Sequence, residues 1–173
     1  MKTTVMVVDD EKDIRDSLTG VLKDEGYEVV AAASAEEALK KLEARSPEVI
    51  LLDIWLPGMD GTEALKEITA RHPGIPVIMI SGHANIETAV RTTKLGAYGF
   101  IEKPLSLDKV VLTVEHAIEQ KRLVEENRQL KQKAWAKYAI IGNSPLIHSL
   151  KSDIERAAPS NSWVLITGEN GTG

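Results

Sequence analysis

The feature that most constrains the fold of this 173-residue chain is a series of five short apolar runs, each followed by a stretch with helical periodicity. The runs are continuous rather than alternating, which is typical of strands buried on both faces of a sheet. They lie at 3–9, 27–33, 48–53, 76–81 and 98–102. Strands that alternate with helices in this way predict right-handed crossovers and a doubly wound, five-stranded parallel sheet of the α/β class.

The stretches between the runs carry helix signals. Ser34 opens the second as a capping box with Glu37, the sequence at 72–74 (HPG) closes the third, and Gly96 stops the fourth. The fifth covers about 106–134 without a breaker. We therefore expect a last helix that continues well beyond the sheet.

Composition excludes several kinds of site. The chain has no cysteine, which rules out disulfides, thiolate zinc sites, iron–sulfur clusters and cysteine nucleophiles. No apolar run approaches the roughly 20 residues that span a bilayer. The first residues, Met1–Val5, lack the architecture of a signal peptide. We expect a cytoplasmic protein that does not contact the membrane.

Charge divides the chain near residue 120. Residues 1–120 carry a net charge of −8 and residues 121–173 a net charge of +3. The acidic part disfavours direct DNA binding, and the tail is too weakly basic to argue for it. We predict a first domain at 1–120, a helix at 106–134 that belongs to it and extends beyond it, and the start of a second domain at 139–173.

Polar residues follow four of the predicted strands at one edge of the sheet. Asp9 and Asp10 end the first strand, Asp53 ends the third, Ser81 ends the fourth, and Lys103 follows the fifth. The carboxyl ends of parallel strands meet in one crevice. Carboxylates about 4 Å apart repel by roughly 4 kcal/mol per pair, so a cation must neutralise them. Mg²⁺ prefers such oxygen ligands.

This set of groups is what phosphoryl transfer to a carboxylate requires: an acceptor, a metal and donors to the phosphoryl oxygens. Asp53 is the best acceptor candidate, because it is central and precedes the loop 55–61, whose backbone carbonyl can complete the metal shell. The alternative is that these acids are solvated loop residues. Their combination at one edge of the sheet favours a site.

Four strings resemble the receiver domain of bacterial response regulators over about residues 3–120. They are VVDDE at 7–11, LDIWLPGMDG at 52–61, ISGH at 80–83 and FIEKP at 100–104. The resemblance implies a flavodoxin-like sheet with strand order 2-1-3-4-5. It also implies that Asp53 accepts a phosphoryl group from the phosphohistidine of a sensor histidine kinase.

The resemblance further implies the ligands of the metal. Asp10, Asp53 and the backbone carbonyl of Trp55 would bind Mg²⁺, and Asp9 would act through a water molecule. Two positions vary among receivers and tune the lifetime of the phosphoryl group, here Trp55 and His83. A bulky indole beside the acceptor should hinder in-line attack by water, so we expect slow autodephosphorylation. The alternative is that Trp55 only packs on the surface.

The resemblance also implies a switch. Ser81 and Lys103 would hold the phosphoryl oxygens, and the peptide bond between Lys103 and Pro104 would be cis. On phosphorylation Ser81 would move towards the phosphoryl group and Phe100 would rotate into the vacated space. This would change the face formed by the fourth helix, fifth strand and fifth helix. For Phe100 the alternative is ordinary core packing.

The extended helix carries a short repeat. Leu123, Asn127, Leu130 and Ala134 follow 4-3-4 spacing, and an asparagine flanked by leucines in this way selects a parallel dimer in register. We predict a homodimer through this coiled coil and the face described above. The alternative is a solvent-bridging helix with many charge pairs.

After a buried-strand signal at 164–166, Gly168, Gly171 and Gly173 match the start of a Walker A loop. Together with the string IGNS at 141–144, this end of the chain resembles the opening of the AAA+ domain of sigma-54-dependent activators of the NtrC type. The string DIWL at 53–56 looks most like the NtrX branch of these activators, which is linked to nitrogen regulation. The phosphate-loop lysine, the Walker B acids and the DNA-binding helix-turn-helix are absent. We therefore expect no ATP hydrolysis or operator binding by these residues.

Three functions are compatible with these patterns. The first is a phosphorylation-controlled receiver whose last helix relays its state to a sigma-54-dependent ATPase, with sigma-54 RNA polymerase and DNA as partners of the parent protein. Its only catalysis would be its own phosphorylation and dephosphorylation. The second is a constitutive dimerisation module that uses the acidic pocket only structurally. The third is a P-loop NTPase, expected for the parent protein rather than for these residues.

Overall fold

Strands and helices alternate along the chain in the computed structural model, which describes residues 3–82, 86–137, 140–160, 163, 165, 167 and 168. The chain divides into two compact units, Met1–Asn127 and Arg128–Gly173. The elements of the described residues are β1 Thr4–Val8, α1 Lys12–Asp24, β2 Glu28–Ala32, α2 Ala35–Ala44, β3 Val49–Asp53, α3 Gly61–Arg71, β4 Val77–Ser81, α4 Ile86–Lys94, β5 Gly99–Glu102, α5 Leu107–Lys137 and α6 Pro145–Ala157.

The five strands form one parallel sheet in the order β2-β1-β3-β4-β5, which confirms the predicted fold and strand order. Its register positions the acidic residues. Val8 pairs with Leu52, so that Asp9 follows β1 beside the last residue of β3, Asp53. Asp53 in turn pairs with Ile80 of β4. The predicted crevice therefore lies at the carboxyl ends of β1, β3 and β4.

Alternate residues of each strand face opposite layers of helices, as the continuous apolar runs predicted. One set packs with α2 and α3, and the other packs with α1 and α5. The first set includes Met6, Val8, Ile50, Leu52, Val77 and Met79. The second includes Val5, Val7, Val49, Leu51, Ile78, Ile80 and Ile101. The two layers bury both faces of the sheet beneath the acidic edge.

Two of the predicted helix ends are confirmed, the start of α2 and the end of α4. Ser34 Oγ accepts a hydrogen bond from the backbone N–H of Glu37 at 3.2 Å, and Glu37 Oε2 accepts one from the N–H of Ala33 at 2.7 Å. Gly96 follows α4 with φ of +98°, a conformation that side-chain-bearing residues rarely adopt. These caps fix where α2 begins and where α4 ends.

The last long helix changes character along its length. In its first half Val110, Val114 and Ala117 are buried against the sheet. Lys121 then forms an ion pair with Glu48 at 2.7 Å. Farther on, three apolar side chains are more than half exposed: Leu123 (53%), Val124 (63%) and Leu130 (60%). Asn127, between the two leucines, is also exposed.

The tail departs from one sequence-based prediction. Leu165 lies in no strand and is 88% exposed, so the buried strand predicted at 164–166 is wrong at this residue. The other two residues of that run lie outside the described part, as do Gly171 and Gly173, while Gly168 is exposed. The helix that precedes this run, α6, has no buried residue, so the described part of the tail provides no core that could cover such a strand.

Among the helices of the described residues, none is long and apolar enough to cross a membrane.

Candidate functional site

Three carboxylates meet at the carboxyl edge of the sheet. The ligand oxygens of Asp9, Asp10 and Asp53 all lie within 4.8 Å of one another. Asp9 and Asp53 are buried, with relative exposures of 0% and 2%, whereas Asp10 is exposed. Two buried acids with a third at the mouth form an oxygen-rich site that is open to solvent on one side.

Lys103 is the cation of this site. Its Nζ lies 2.7 Å from Asp53 Oδ2, 3.1 Å from Asp9 Oδ2 and 3.0 Å from Glu11 Oε1. Burial lowers the pKa of Lys103, but its hydrogen bonds to Asp53 and Glu11 and its ion pair with Asp9 outweigh this effect and leave the pKa raised. Lys103 therefore stays charged. One ammonium group does not neutralise four carboxylates, so the site retains net negative charge.

Asp9 carries its charge in an unfavourable, buried position. Burial raises its pKa, and the charge of Asp53 adds to this effect, against the opposing influence of Lys103 and of the Glu11 N–H. Asp9 Oδ1 accepts a hydrogen bond from that N–H at 2.9 Å, but the buried Oδ2 has no hydrogen-bond partner in the described part of the chain. Oδ2 is within ion-pair distance of Lys103 without being aligned for a hydrogen bond. A buried, unsatisfied carboxylate oxygen beside two other carboxylates suits a divalent cation.

The loop after β3 approaches the acceptor candidate closely. The N–H of Trp55 donates to Asp53 Oδ1 at 3.2 Å, and the N–H of Gly61 donates to the carbonyl of Ile54 at 2.9 Å. A Cβ at position 61 would lie 2.0 Å from the carbonyl oxygen of Asp53, so only glycine fits there. Asp60 caps α3 by accepting the N–H of Thr62 at 2.6 Å. The glycine and the cap together fold the loop back over Asp53.

An open cavity of about 710 Å³ lies above these groups. Trp55 is 62% exposed and forms part of its wall. The other lining residues are Asp10, Glu11, Asp53, Gly82 and Lys103. The cavity gives a small phosphorylated group direct access to Asp53.

The predicted switch residues lie around the same edge. Ser81 is fully buried at the end of β4 and pairs with Glu102 of β5. Phe100 is half-buried and packs against the core layer of α2 and α3. The peptide bond between Lys103 and Pro104 is cis. His83 lies outside the described residues.

Sequence reasoning missed two residues that shape the site. Glu11 binds Lys103, and it extends the acidic string that Asp9 begins. Arg15 Nη1 donates to the backbone carbonyls of Asp9 at 2.6 Å and Asp10 at 3.1 Å, which fixes the turn after β1. The sequence shows a basic residue six positions after Asp9, but that spacing does not indicate which atoms the side chain of Arg15 binds.

Comparisons with known proteins agree with this geometry. The response regulator receiver domain model matches residues 5–115. The nitrogen assimilation regulatory protein NtrX of Azorhizobium caulinodans is 46% identical over 175 residues, which cover 100% of this chain and 38% of that protein. The crystal structure of NtrX from Brucella abortus has a TM-score of 0.74 at 45% identity and covers 94% of this chain and 36% of that one.

A solution structure of the beryllofluoride-activated NtrC4 receiver domain dimer is also similar. It has a TM-score of 0.66 at 42% identity, over 68% of this chain and 98% of that one. The chain spans 38% of the length of the first curated relative that it matches. With the acidic edge, the lysine and the sheet order in place, the family match shows that the chain belongs to the receiver domain family of two-component response regulators.

Proposed function

We propose that Asp53 is the phosphoacceptor and takes its phosphoryl group from the phosphohistidine of a sensor histidine kinase. One observation carries this assignment: Asp53 is the buried acid at the floor of the cavity, with Oδ2 2.7 Å from Lys103 Nζ and two further carboxylates beside it. In the transfer, an Asp53 carboxylate oxygen forms a bond to phosphorus while the bond from phosphorus to the kinase histidine breaks. The electron pair of that bond returns to the imidazole nitrogen.

The residues present fit Mg²⁺. Asp10, Asp53 and the Trp55 carbonyl are the proposed ligands, with Asp9 acting through water, and the unsatisfied Asp9 Oδ2 supports a cation at this place. The bound ion would offset the negative charge of the transferring phosphoryl oxygens. Lys103 would hold one of these oxygens, since its Nζ already contacts the acceptor carboxylate.

The switch that we propose runs through Ser81 and Phe100. Ser81, at the end of β4, would donate its hydroxyl to a phosphoryl oxygen. Phe100 on the neighbouring strand is half-buried, so its ring can move farther into the core. That motion would alter the face formed by α4, β5 and α5.

Binding of beryllofluoride, which imitates an aspartyl phosphate, tests the assignment of Asp53. With Mg²⁺ present, we expect amide NMR shifts at Gly82, Gly99 and Lys103 in the wild type. Asp53→Asn should abolish these shifts. The matched control is Asp60→Asn, in the same loop, because Asn also caps a helix and this residue lies outside the cavity lining. Equal responses of Asp53→Asn and the wild type would contradict the assignment.

For the whole protein we propose a cytoplasmic sigma-54-dependent activator. Similarity to NtrX over the full length of this chain supports this proposal, as does 37% identity to the C4-dicarboxylate transport transcriptional regulatory protein DctD of Rhizobium meliloti. Its ATPase would act with sigma-54 RNA polymerase and DNA. A change in the phosphorylation state of the receiver domain would reach this ATPase through α5. Residues 1–173 would bind no DNA and catalyse only their own phosphorylation and dephosphorylation. Residues 1–120 would be the receiver domain, and residues 139–173 would be the start of the ATPase domain.

We further propose a homodimer through the α4-β5-α5 face and the extension of α5 that carries Leu123, Asn127 and Leu130. The exposed leucines of this extension support the proposal, because a coiled-coil partner would cover them. The similar NtrC4 receiver domain is a dimer when activated by beryllofluoride.

A further inference from the structure

We propose that Glu36, in the first turn of α2, is a positioning residue that holds the loop 55–60 and thereby sets the Mg²⁺ affinity of the site. This inference deepens the proposed function and rests on it, because the Trp55 carbonyl in that loop is a proposed ligand. Glu36 does not line the cavity above Asp53. Its effect would therefore pass through the backbone of the loop.

The first contact is a hydrogen bond between distant parts of the chain. The N–H of Met59 donates to Glu36 Oε1 at 2.9 Å, across 23 positions of sequence. The Met59 side chain is itself packed, partly buried, against the core layer that α2 and α3 cover. Glu36 of α2 thus fixes the backbone of the loop at Met59, the residue whose side chain packs against the core.

The second observation is a close approach of Glu36 to the neighbouring residue. Gly58 has φ of +81°, and a Cβ at this position would lie 2.6 Å from Glu36 Oε1. The backbone of two consecutive loop residues therefore lies directly against one carboxylate. A positive φ at Gly58 turns the chain so that the N–H of Met59 can reach Glu36.

The loop is fixed at three places. At its start, the N–H of Trp55 contacts Asp53 Oδ1, and at its end, Gly61 bonds to the carbonyl of Ile54. Glu36 supplies the fixed point between them. Groups that orient metal ligands without touching the metal typically change its affinity by about 10- to 100-fold when they are removed.

The next residue provides a matched control. Glu37 is also an exposed glutamate in the first turn of α2, and it also accepts a backbone N–H, from Ala33 at 2.7 Å. Its second oxygen binds Lys41 one helical turn later. Glu37 therefore stabilises the start of its own helix, whereas the Met59 contact of Glu36 reaches the metal loop.

The test is a Mg²⁺ titration of a reference protein and of three variants made in it. The reference protein, called the parent sequence, carries Trp135→Phe and Trp163→Phe, so that Trp55 is the only tryptophan and its fluorescence reports the loop. The three variants add Glu36→Ala, Glu36→Gln or Glu37→Ala to it. Unfolding by urea in the absence of Mg²⁺ measures the stability of each protein separately.

We expect Glu36→Ala to weaken Mg²⁺ affinity about tenfold. Glu36→Gln should keep the Mg²⁺ affinity of the parent sequence, because glutamine keeps an acceptor oxygen for the N–H of Met59. Glu37→Ala should lower the free energy of unfolding and leave the Mg²⁺ affinity unchanged. Since Glu36 is exposed, we expect its variants to fold, which circular dichroism checks.

Three results would overturn the inference while leaving the function proposed for Asp53 intact. One is an unchanged affinity in Glu36→Ala, and another is an equal loss in Glu36→Gln, which would mean that only the charge acts. The third is an equal loss in Glu37→Ala, which would assign the effect to the stability of α2. If the parent sequence shows no saturable Mg²⁺ binding, the metal site proposed above fails together with the inference.

Discussion

At the scale of single residues, the site places one positive charge, that of Lys103, among several negative charges. Its ammonium group contacts Asp9, Glu11 and Asp53, and two of these carboxylates are buried. Such a site is unfavourable for folding and favourable for binding a cation, because the same negative charge that destabilises the folded protein attracts Mg²⁺.

Asp9→Asn should stabilise the protein at neutral pH without Mg²⁺. The substitution removes a buried charge whose Oδ2 has no hydrogen-bond partner, and we expect a gain of about 1 kcal/mol in the free energy of unfolding. The folded-state pKa of Asp9 is raised above its ordinary value of 3.8. Its contribution to stability is therefore fully present below that value and is lost as pH rises through the raised pKa.

Urea unfolding from acidic to neutral pH measures this effect. The advantage of Asp9→Asn over the wild type should grow as pH rises, and saturating Mg²⁺ should reduce it, because the ion binds the folded wild type. A variant that is less stable than the wild type at neutral pH without Mg²⁺ would contradict the electrostatic argument.

Trp55→Ala should shorten the lifetime of the aspartyl phosphate severalfold. The indole is 62% exposed and forms part of the cavity wall beside Asp53, so its removal opens a path for water in line with the phosphorus. Decay of a radiolabelled phosphoprotein at fixed Mg²⁺ concentration measures the lifetime. An unchanged decay rate would assign Trp55 to surface packing alone.

At the scale of elements, the turn from β3 into α3 connects the fold to the site. Gly61→Ala should destabilise the protein by about 2 kcal/mol, because its Cβ would meet the carbonyl oxygen of Asp53 at 2.0 Å. It should also weaken Mg²⁺ binding, since the loop and Asp53 move apart. Gly20→Ala in α1 is the control, because a Cβ at that position meets no atom within 4 Å.

The control should change stability in the opposite direction. An alanine in the middle of α1 favours the helix by about 1 kcal/mol, so Gly20→Ala should raise the urea midpoint without affecting Mg²⁺ binding. A Gly61→Ala variant as stable as the wild type would show that the close approach at Asp53 is not required.

The elements that could be predicted from the sequence are those whose signal is local. The buried strands follow from continuous apolar runs, and the start of α2 follows from Ser34 and Glu37, because each pattern contains its own physical cause. The convergence of Asp9 and Asp53 followed from the parallel sheet.

The contacts of Arg15 with backbone carbonyls and of Glu36 with Met59 could not be predicted, because they depend on side-chain directions and on the path of a loop. The strand expected at Leu165 is wrong because its burial requires neighbours that the described chain does not supply.

At the scale of the whole molecule, oligomeric state distinguishes a phosphorylation switch from a constitutive dimerisation module. We expect the mass from light scattering after size exclusion to change when beryllofluoride and Mg²⁺ are added to the wild type. Asp53→Ala should not respond. A dimer in both proteins, with no response in either, would favour the constitutive module, held together by the leucines of α5.

The central claim, that Asp53 is the phosphoacceptor, is tested most directly by mass spectrometry after incubation with acetyl phosphate and Mg²⁺. We predict that the intact protein gains the mass of one phosphoryl group, that peptide mapping after reduction with borohydride places it at Asp53, and that Asp53→Asn or removal of Mg²⁺ abolishes it. A phosphoryl group on another residue, or the same gain in Asp53→Asn, would contradict the account.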